Sequence, residues 1–99
     1  MKEIKAVIQP FMLDRVLDAL HEIEGLPGVT ISEARAVSLE RGHYEQIVKI
    51  RLEMMVSDHL VDRVSRTILD HAHTGNPGDG GIFILPVEKA ISIRTGDTA

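Results

Sequence analysis

The chain has 99 residues, 11 Lys and Arg against 15 Asp and Glu, and a formal net charge of −4. That length suits one domain, residues 1–99, and the acidic balance supplies no broad basic surface for DNA or RNA. With no cysteine, disulfides, thiolate metal sites and thiol catalysis are excluded, in agreement with a reducing cytoplasm.

Ile4, Ala6 and Ile8 alternate with Lys5 and Gln9, which predicts a short half-buried strand ended by Pro10. Leu13, Val16, Leu17, Leu20 and Ile23 then fall at helical spacing, with Asp14, Arg15, Asp18 and Glu22 between them. Gly25-Leu26-Pro27-Gly28 closes that helix. Val29 to Val37 reads as a second strand, and Glu40-Arg41-Gly42-His43 as a polar connection. Val48, Ile50, Leu52, Met54 and Val56 alternate with Lys49, Arg51, Glu53 and Met55, so the third strand has a well-determined register.

Ser57 is the expected N-cap of a second helix whose apolar stripe is Leu60, Val61, Val64 and Ile68, with Asp58 in its first turn. That helix is expected to end near His73. A last strand starts at Ile82-Phe83-Ile84-Leu85, breaks at Pro86 and resumes through Ala90-Ile91-Ser92-Ile93-Arg94. The order is β-α-β-β-α-β. It predicts an α+β, ferredoxin-like fold: a four-stranded antiparallel sheet with two helices on one face. The other face, with Val7 and Met55 on it, must be polar or buried in an oligomer.

The only aromatic residues are Phe11, Tyr44 and Phe83. The core is therefore aliphatic, and binding of bases by a stacking platform is disfavoured. No apolar run approaches the ~20 residues needed to span a bilayer, so no direct membrane insertion is expected.

Between the second helix and the last strand lies Thr74-Gly75-Asn76-Pro77-Gly78-Asp79-Gly80-Gly81-Ile82-Phe83. Glycines at an element junction expose N–H groups and permit positive φ, which lets main chain approach a phosphate. The same residue types also make plain turns. The spacing fits neither of the two familiar nucleotide loops, and the order here is helix, loop, strand.

Lys2-Glu3-Ile4-Lys5-Ala6-Val7-Ile8-Gln9-Pro10-Phe11, Gly28-Val29-Thr30-Ile31-Ser32-Glu33, the Thr74-to-Phe83 loop and Ile91-Ser92-Ile93-Arg94-Thr95-Gly96 together resemble the PII signal-transduction family, in the family's order and over nearly the whole chain. The resemblance implies a homotrimer with an adenine nucleotide, AMP, ADP or ATP, in each cleft between subunits. It also implies a sensor that regulates a protein partner and is not an enzyme. Carried over residue by residue, Thr30, Ser38 and Met55 would surround the base and ribose. Gly78, Asp79, Gly80 and Gly81 would cradle phosphate, and Arg94 would add charge across the cleft. The plainer readings are ordinary strand residues for Thr30 and Ser38, interface packing for Met55 and a solvated strand end for Arg94.

The chain departs from the family in two places. The loop between the central strands, about Leu39 to Gln46, is roughly ten residues shorter than the resemblance implies. The tyrosine modified in some members falls in the missing stretch, and Tyr44 has no context equating it with that site. The family's lysine after Gly-Asp-Gly is Gly81 here, and one of two arginines on the last strand is Ser92, so only Arg94 remains. Charge-assisted phosphate contacts contribute ~1.5–3 kcal/mol each, so AMP or ADP is expected over ATP. Lys89 or Arg41 are candidate replacements. Lys49 matches a lysine used for 2-oxoglutarate, but Glu40 in place of a glutamine would repel an anionic 2-oxoacid, and that ligand is not expected.

The resemblance extends to variant groups associated with metal-efflux or inorganic-carbon transport, which makes a membrane transporter the expected partner. A CutA-like trimer binding a divalent metal is the alternative, with His43, His71 and His73 as weak candidate ligands. The i, i+2 spacing of His71 and His73 does not place two imidazoles on one helical face. A structural trimer with a degenerate ligand site is the third reading.

Overall fold

The computed structural model describes residues 1–42 and 45–98; His43, Tyr44 and Ala99 lie outside the described residues. Strand β1 spans Lys2–Ile8, helix α1 Leu13–His21, β2 Thr30–Val37, β3 Gln46–Val56, α2 Val61–Ala72 and β4 Gly80–Pro86. The strands form one sheet in the order β2-β3-β1-β4, and every adjacent pair is antiparallel. This is the predicted ferredoxin-like arrangement, in which the first and third strands occupy the centre.

Period-2 patterning decides which face the helices cover. Ile4, Ala6 and Ile8 on β1 and Ile50, Leu52, Met54 and Val56 on β3 are buried on that face. Val16, Leu20 and Ile23 from the α1 region, with Leu60, Val64, Ile68 and Ala72 from the α2 region, complete the core. Ile4, Val16, Leu52, Val64 and Ile68 are fully enclosed. Truncating one of these Ile or Leu residues to Ala would cost about 2–5 kcal/mol. On the opposite face Glu3, Lys5, Arg51, Glu53 and Met55 alternate with the core residues, and no described helix covers them.

Each helix begins with a single tighter turn, Pro10–Met12 before α1 and Asp58–Leu60 before α2. Ser57 therefore precedes that turn and does not cap α2, whose N-cap position is Leu60; the Ser57 side chain makes no capping bond. Its carbonyl instead accepts the Leu60 N–H at 2.9 Å. Proline at the start of the first turn supplies a pre-set φ where no N–H partner is needed.

Two further boundaries differ from the sequence reading. The segment joining β2 to β3 is Ser38–Glu45, because Gln46 already pairs with Val37. The last strand does not resume after Pro86: Ile91 to Thr98 closes on itself through a single Ile91–Thr98 bridge. The Ser92 N–H donates to the Asp97 carbonyl at 2.9 Å and the Gly96 N–H to the Ser92 carbonyl at 2.7 Å. Alternation of apolar residues favoured a strand there, but Thr95, Gly96 and Asp97 offer local turn bonds that need no sheet edge.

Candidate functional site

The glycine loop is organised by one carboxylate. Asp79 Oδ2 accepts the backbone N–H groups of Thr74 and Gly75, each at 2.8 Å. Its Oδ1 accepts the Thr74 hydroxyl and, at 2.8 Å, Nε2 of Gln9 from beyond the end of β1. The Thr74 hydroxyl, followed by the Thr74 amide, leads the bonds that lower the Asp79 pKa to about 2. Asp79 is thus ionised throughout the neutral range, and its lone pairs are spent inside the protein. It acts as the hub of the loop and not as a base.

Gly80 is dictated by a close approach. Its φ is +101°, and a Cβ there would lie 1.8 Å from the Val7 carbonyl oxygen. Only glycine lets β4 start beside β1 at the Ile8–Gly80 register. Gly81, the next position, is different: an added Cβ would meet only the rim of the Phe83 ring, at 3.4 and 3.5 Å.

Lys49 is the one buried charged side chain among the described residues, at 7% exposure. It sits next to Ile50 on β3 and donates its ammonium to the carbonyl of Gly78. None of the ion pairs among the described residues includes it. An ammonium has three N–H donors, so a cation with spare donors lies beside the loop. His73, the first residue after α2, brings Nδ1 to 3.9 Å from Asp79 Oδ2.

The predicted site residues fall into separate groups within one chain. Gly78, Asp79, Gly80 and Gly81 stand together where β4 begins, beside an apolar cleft of about 340 Å³ lined by Val7, Ile8, Ile68, Ala72 and His73 among others. Thr30 and Met55 line a second cleft of about 570 Å³, with Glu3, Gly28 and Glu53. Thr30 is aligned with Glu53, Lys5 and Phe83 across the sheet, so three strand spacings, about 14 Å, separate it from β4. Ser38 stands apart at the end of β2, where its Oγ accepts the Glu40 N–H at 3.3 Å. Arg94 is exposed in the C-terminal turn. Of the candidate replacement cations, Arg41 and Lys89 are exposed as well, and the cation found at the loop is Lys49.

Sequence reasoning named the loop but missed what pins it. Gln9 lies 70 positions from Asp79 and Lys49 lies 29 from Gly78, so no local pattern joins them. Thr74, within the quoted motif, offered the one local signal: a hydroxyl able to meet a turn carboxylate.

The histidines do not converge. His71 Nδ1 is 2.8 Å from the Thr67 carbonyl, His73 faces Asp79, and His43 lies outside the described residues, as does Tyr44. Among the described residues no group of three His, Cys, Asp or Glu side chains could hold a metal ion. No described helix is long and apolar enough to cross a membrane.

The family model for nitrogen regulatory protein P-II matches residues 1–97. The chain belongs to the P-II family. It is 42% identical to nitrogen regulatory protein P-II of Azospirillum brasilense over 98% of this chain and 95% of the relative. Its identity to the P-II protein of Rhodospirillum rubrum is 43%, with the same coverage. Nitrogen regulatory protein P-II 1 of Escherichia coli is 39% identical, again over 98% and 95%. These alignments run over 107 residues, which the 98% of this 99-residue chain that they cover cannot fill without about ten gaps. P-II proteins are regulatory signalling proteins and not enzymes.

Proposed function

We propose that the chain is the protomer of a cytoplasmic homotrimeric regulator that binds an adenine nucleotide between copies and acts on a protein partner. The observation that carries this reading is the glycine loop, shaped by Asp79 and backed by the buried ammonium of Lys49. Such a loop, with Gly78 and Gly80 at positive φ, lets main chain approach a phosphate closely and sets the Lys49 charge beside it. The Thr30–Met55 cleft, with two glutamates on its lining, suits instead the amino and hydroxyl donors of a base and ribose. Because Thr30 lies three strand spacings from β4, a loop from one copy and a cleft from the next would complete the site. Arg94, in a turn that touches little of its own chain, would reach it from the neighbour.

Loss of the family lysine at Gly81 and of an arginine at Ser92 favours AMP or ADP over ATP. The carboxylate of Glu40 disfavours an anionic 2-oxoacid such as 2-oxoglutarate. The short connection of residues 38–45 argues against control by modification of a long loop. A membrane transporter, of metal-efflux or inorganic-carbon type, is the partner class this variant fits.

Calorimetric titration with AMP, ADP and ATP, paired with sedimentation equilibrium, tests the first part. Binding of one nucleotide per protomer to a trimer is expected, and silence of all three at millimolar concentration would sink it. Co-sedimentation with membrane vesicles that is released by one nucleotide and lost on protease treatment of the vesicles would support the partner class. Indifference to both treatments would remove it.

A further inference from the structure

We propose that His73 is a proton-controlled cation of the glycine loop, which raises the loop's affinity for a phosphate-bearing ligand as the pH falls through the histidine range. The inference rests on the reading of Gly78–Gly81 as a phosphate cradle. A carboxylate at the hub of such a loop is an electrostatic liability, since its charge repels the ligand that the N–H groups attract. The charges facing the site show how this is met.

Lys49 contributes a permanent positive charge at the Gly78 carbonyl, and Asp79 a negative charge 3.9 Å from His73 Nδ1. Along α2, Arg66 and Asp70 flank His73 in a small surface cleft and neutralise each other at 3.5 Å. His71 is bonded back to Thr67 of its own helix, and from the β1 end Gln9 adds no charge. Within one chain the local sum is therefore zero when His73 is neutral and +1 when it is protonated. Asp79, held at about 2, stays ionised across this range. Histidine is the side chain whose charge switches between about pH 5 and 8.

Geometry favours a switch over a fixed pair. His73 follows the last helical residue, with its backbone N–H still bonded to the Leu69 carbonyl at 3.0 Å, so its Cα is anchored. Its ring is 63% exposed and open to bulk protons. At 3.9 Å it is too far for a hydrogen bond to Asp79 but within reach of an ionic contact. Protonation would neutralise the hub without displacing Thr74 or Gly75 from it.

The test measures sulfate binding, whose probe charge is constant over the range, and then ADP binding, at pH 6.0 and 8.0 in wild type, H73Q, H73R and the control H71Q. The wild type and H71Q should bind about three- to tenfold more tightly at the lower pH, the order of effect of one added charge near a dianion in a water-like medium. H73Q should lose most of that change for sulfate, and H73R should bind tightly at both values. The amide NMR signals of Thr74 and Gly75 should follow the histidine titration in wild type and not in H73Q. Equal pH responses of wild type and H73Q would overturn the His73 proposal while leaving the cradle in place. No sulfate or ADP binding in any form at either pH would overturn the cradle reading, and this proposal with it.

Discussion

The glycine loop and the C-terminal segment are both short, turn-rich stretches that carry parts of the family resemblance, yet the fold treats them differently. Thr74 to Gly81 is tied to distant chain: Gln9 donates to Asp79, Lys49 donates to Gly78, and Gly80 packs against Val7. Among the described residues, the hydrogen bonds of Ile91 to Thr98 run within the segment, through Ser92, Thr95 and Asp97, and Ile93 is fully exposed. A segment held from outside has its shape set by the monomer. One held by local bonds keeps its apolar and charged side chains free for another surface.

The sharpest way to break this contrast is Gly80→Ala. A methyl group 1.8 Å from a backbone oxygen, at positive φ, forces β4 away from β1, and a loss on the order of 3 kcal/mol or more is expected. Thermal unfolding measures it. A melting temperature within a degree of wild type would show that the loop is not locked to the sheet.

Asp79→Ala should release the loop while leaving the core folded. Amide hydrogen exchange at Thr74 and Gly75 should speed up, with the core strands unchanged. Since its folded pKa is lowered to about 2, the Asp79 contribution is complete above the ordinary carboxylate value near 3.8. It is lost as the pH falls from there through about 2. Exchange rates or amide shifts followed across that interval should show a midpoint near the lower value in wild type and none in the variant.

Gly81→Lys should sharpen the comparison by strengthening one side of it. The Phe83 rim leaves room for a side chain there, and a restored cation should raise ATP affinity by about tenfold or more, with little change in stability. Calorimetry with ATP decides it; no gain would mean that residue 81 does not face phosphate.

Arg94→Ala should have the smallest effect on the fold, within about 0.5 kcal/mol, because the side chain is exposed in a self-contained turn. Its signature should appear only in nucleotide affinity, reduced about tenfold. A marked fall in melting temperature with affinity intact would reverse the assignment of this segment.

The core was legible because it is periodic. Ile4, Ala6 and Ile8, the Ile50-to-Val56 alternation and the Val16–Leu20 and Val64–Ile68 helical spacings each report a face before any tertiary contact exists. Val48 shows the limit: it continues the alternation of β3 but is 48% exposed. β1 ends opposite Ile50, and beyond it only β2 and β3 pair. The Ile91–Ile93 alternation misled for a similar reason, since period 2 marks a strand only where an edge is offered to it.

By itself the sequence determined the order of elements, the covered face of the sheet, the place of the glycine loop and the family. Tertiary structure alone decided how that loop is held, that Lys49 is buried beneath it, that Thr30 stands across the sheet from it, and that the C-terminal turn closes on itself. The division has a physical reason. Local propensity and burial periodicity are written within a few residues, whereas a carboxylate's partner or a glycine's necessity depends on chain that folding brings from elsewhere.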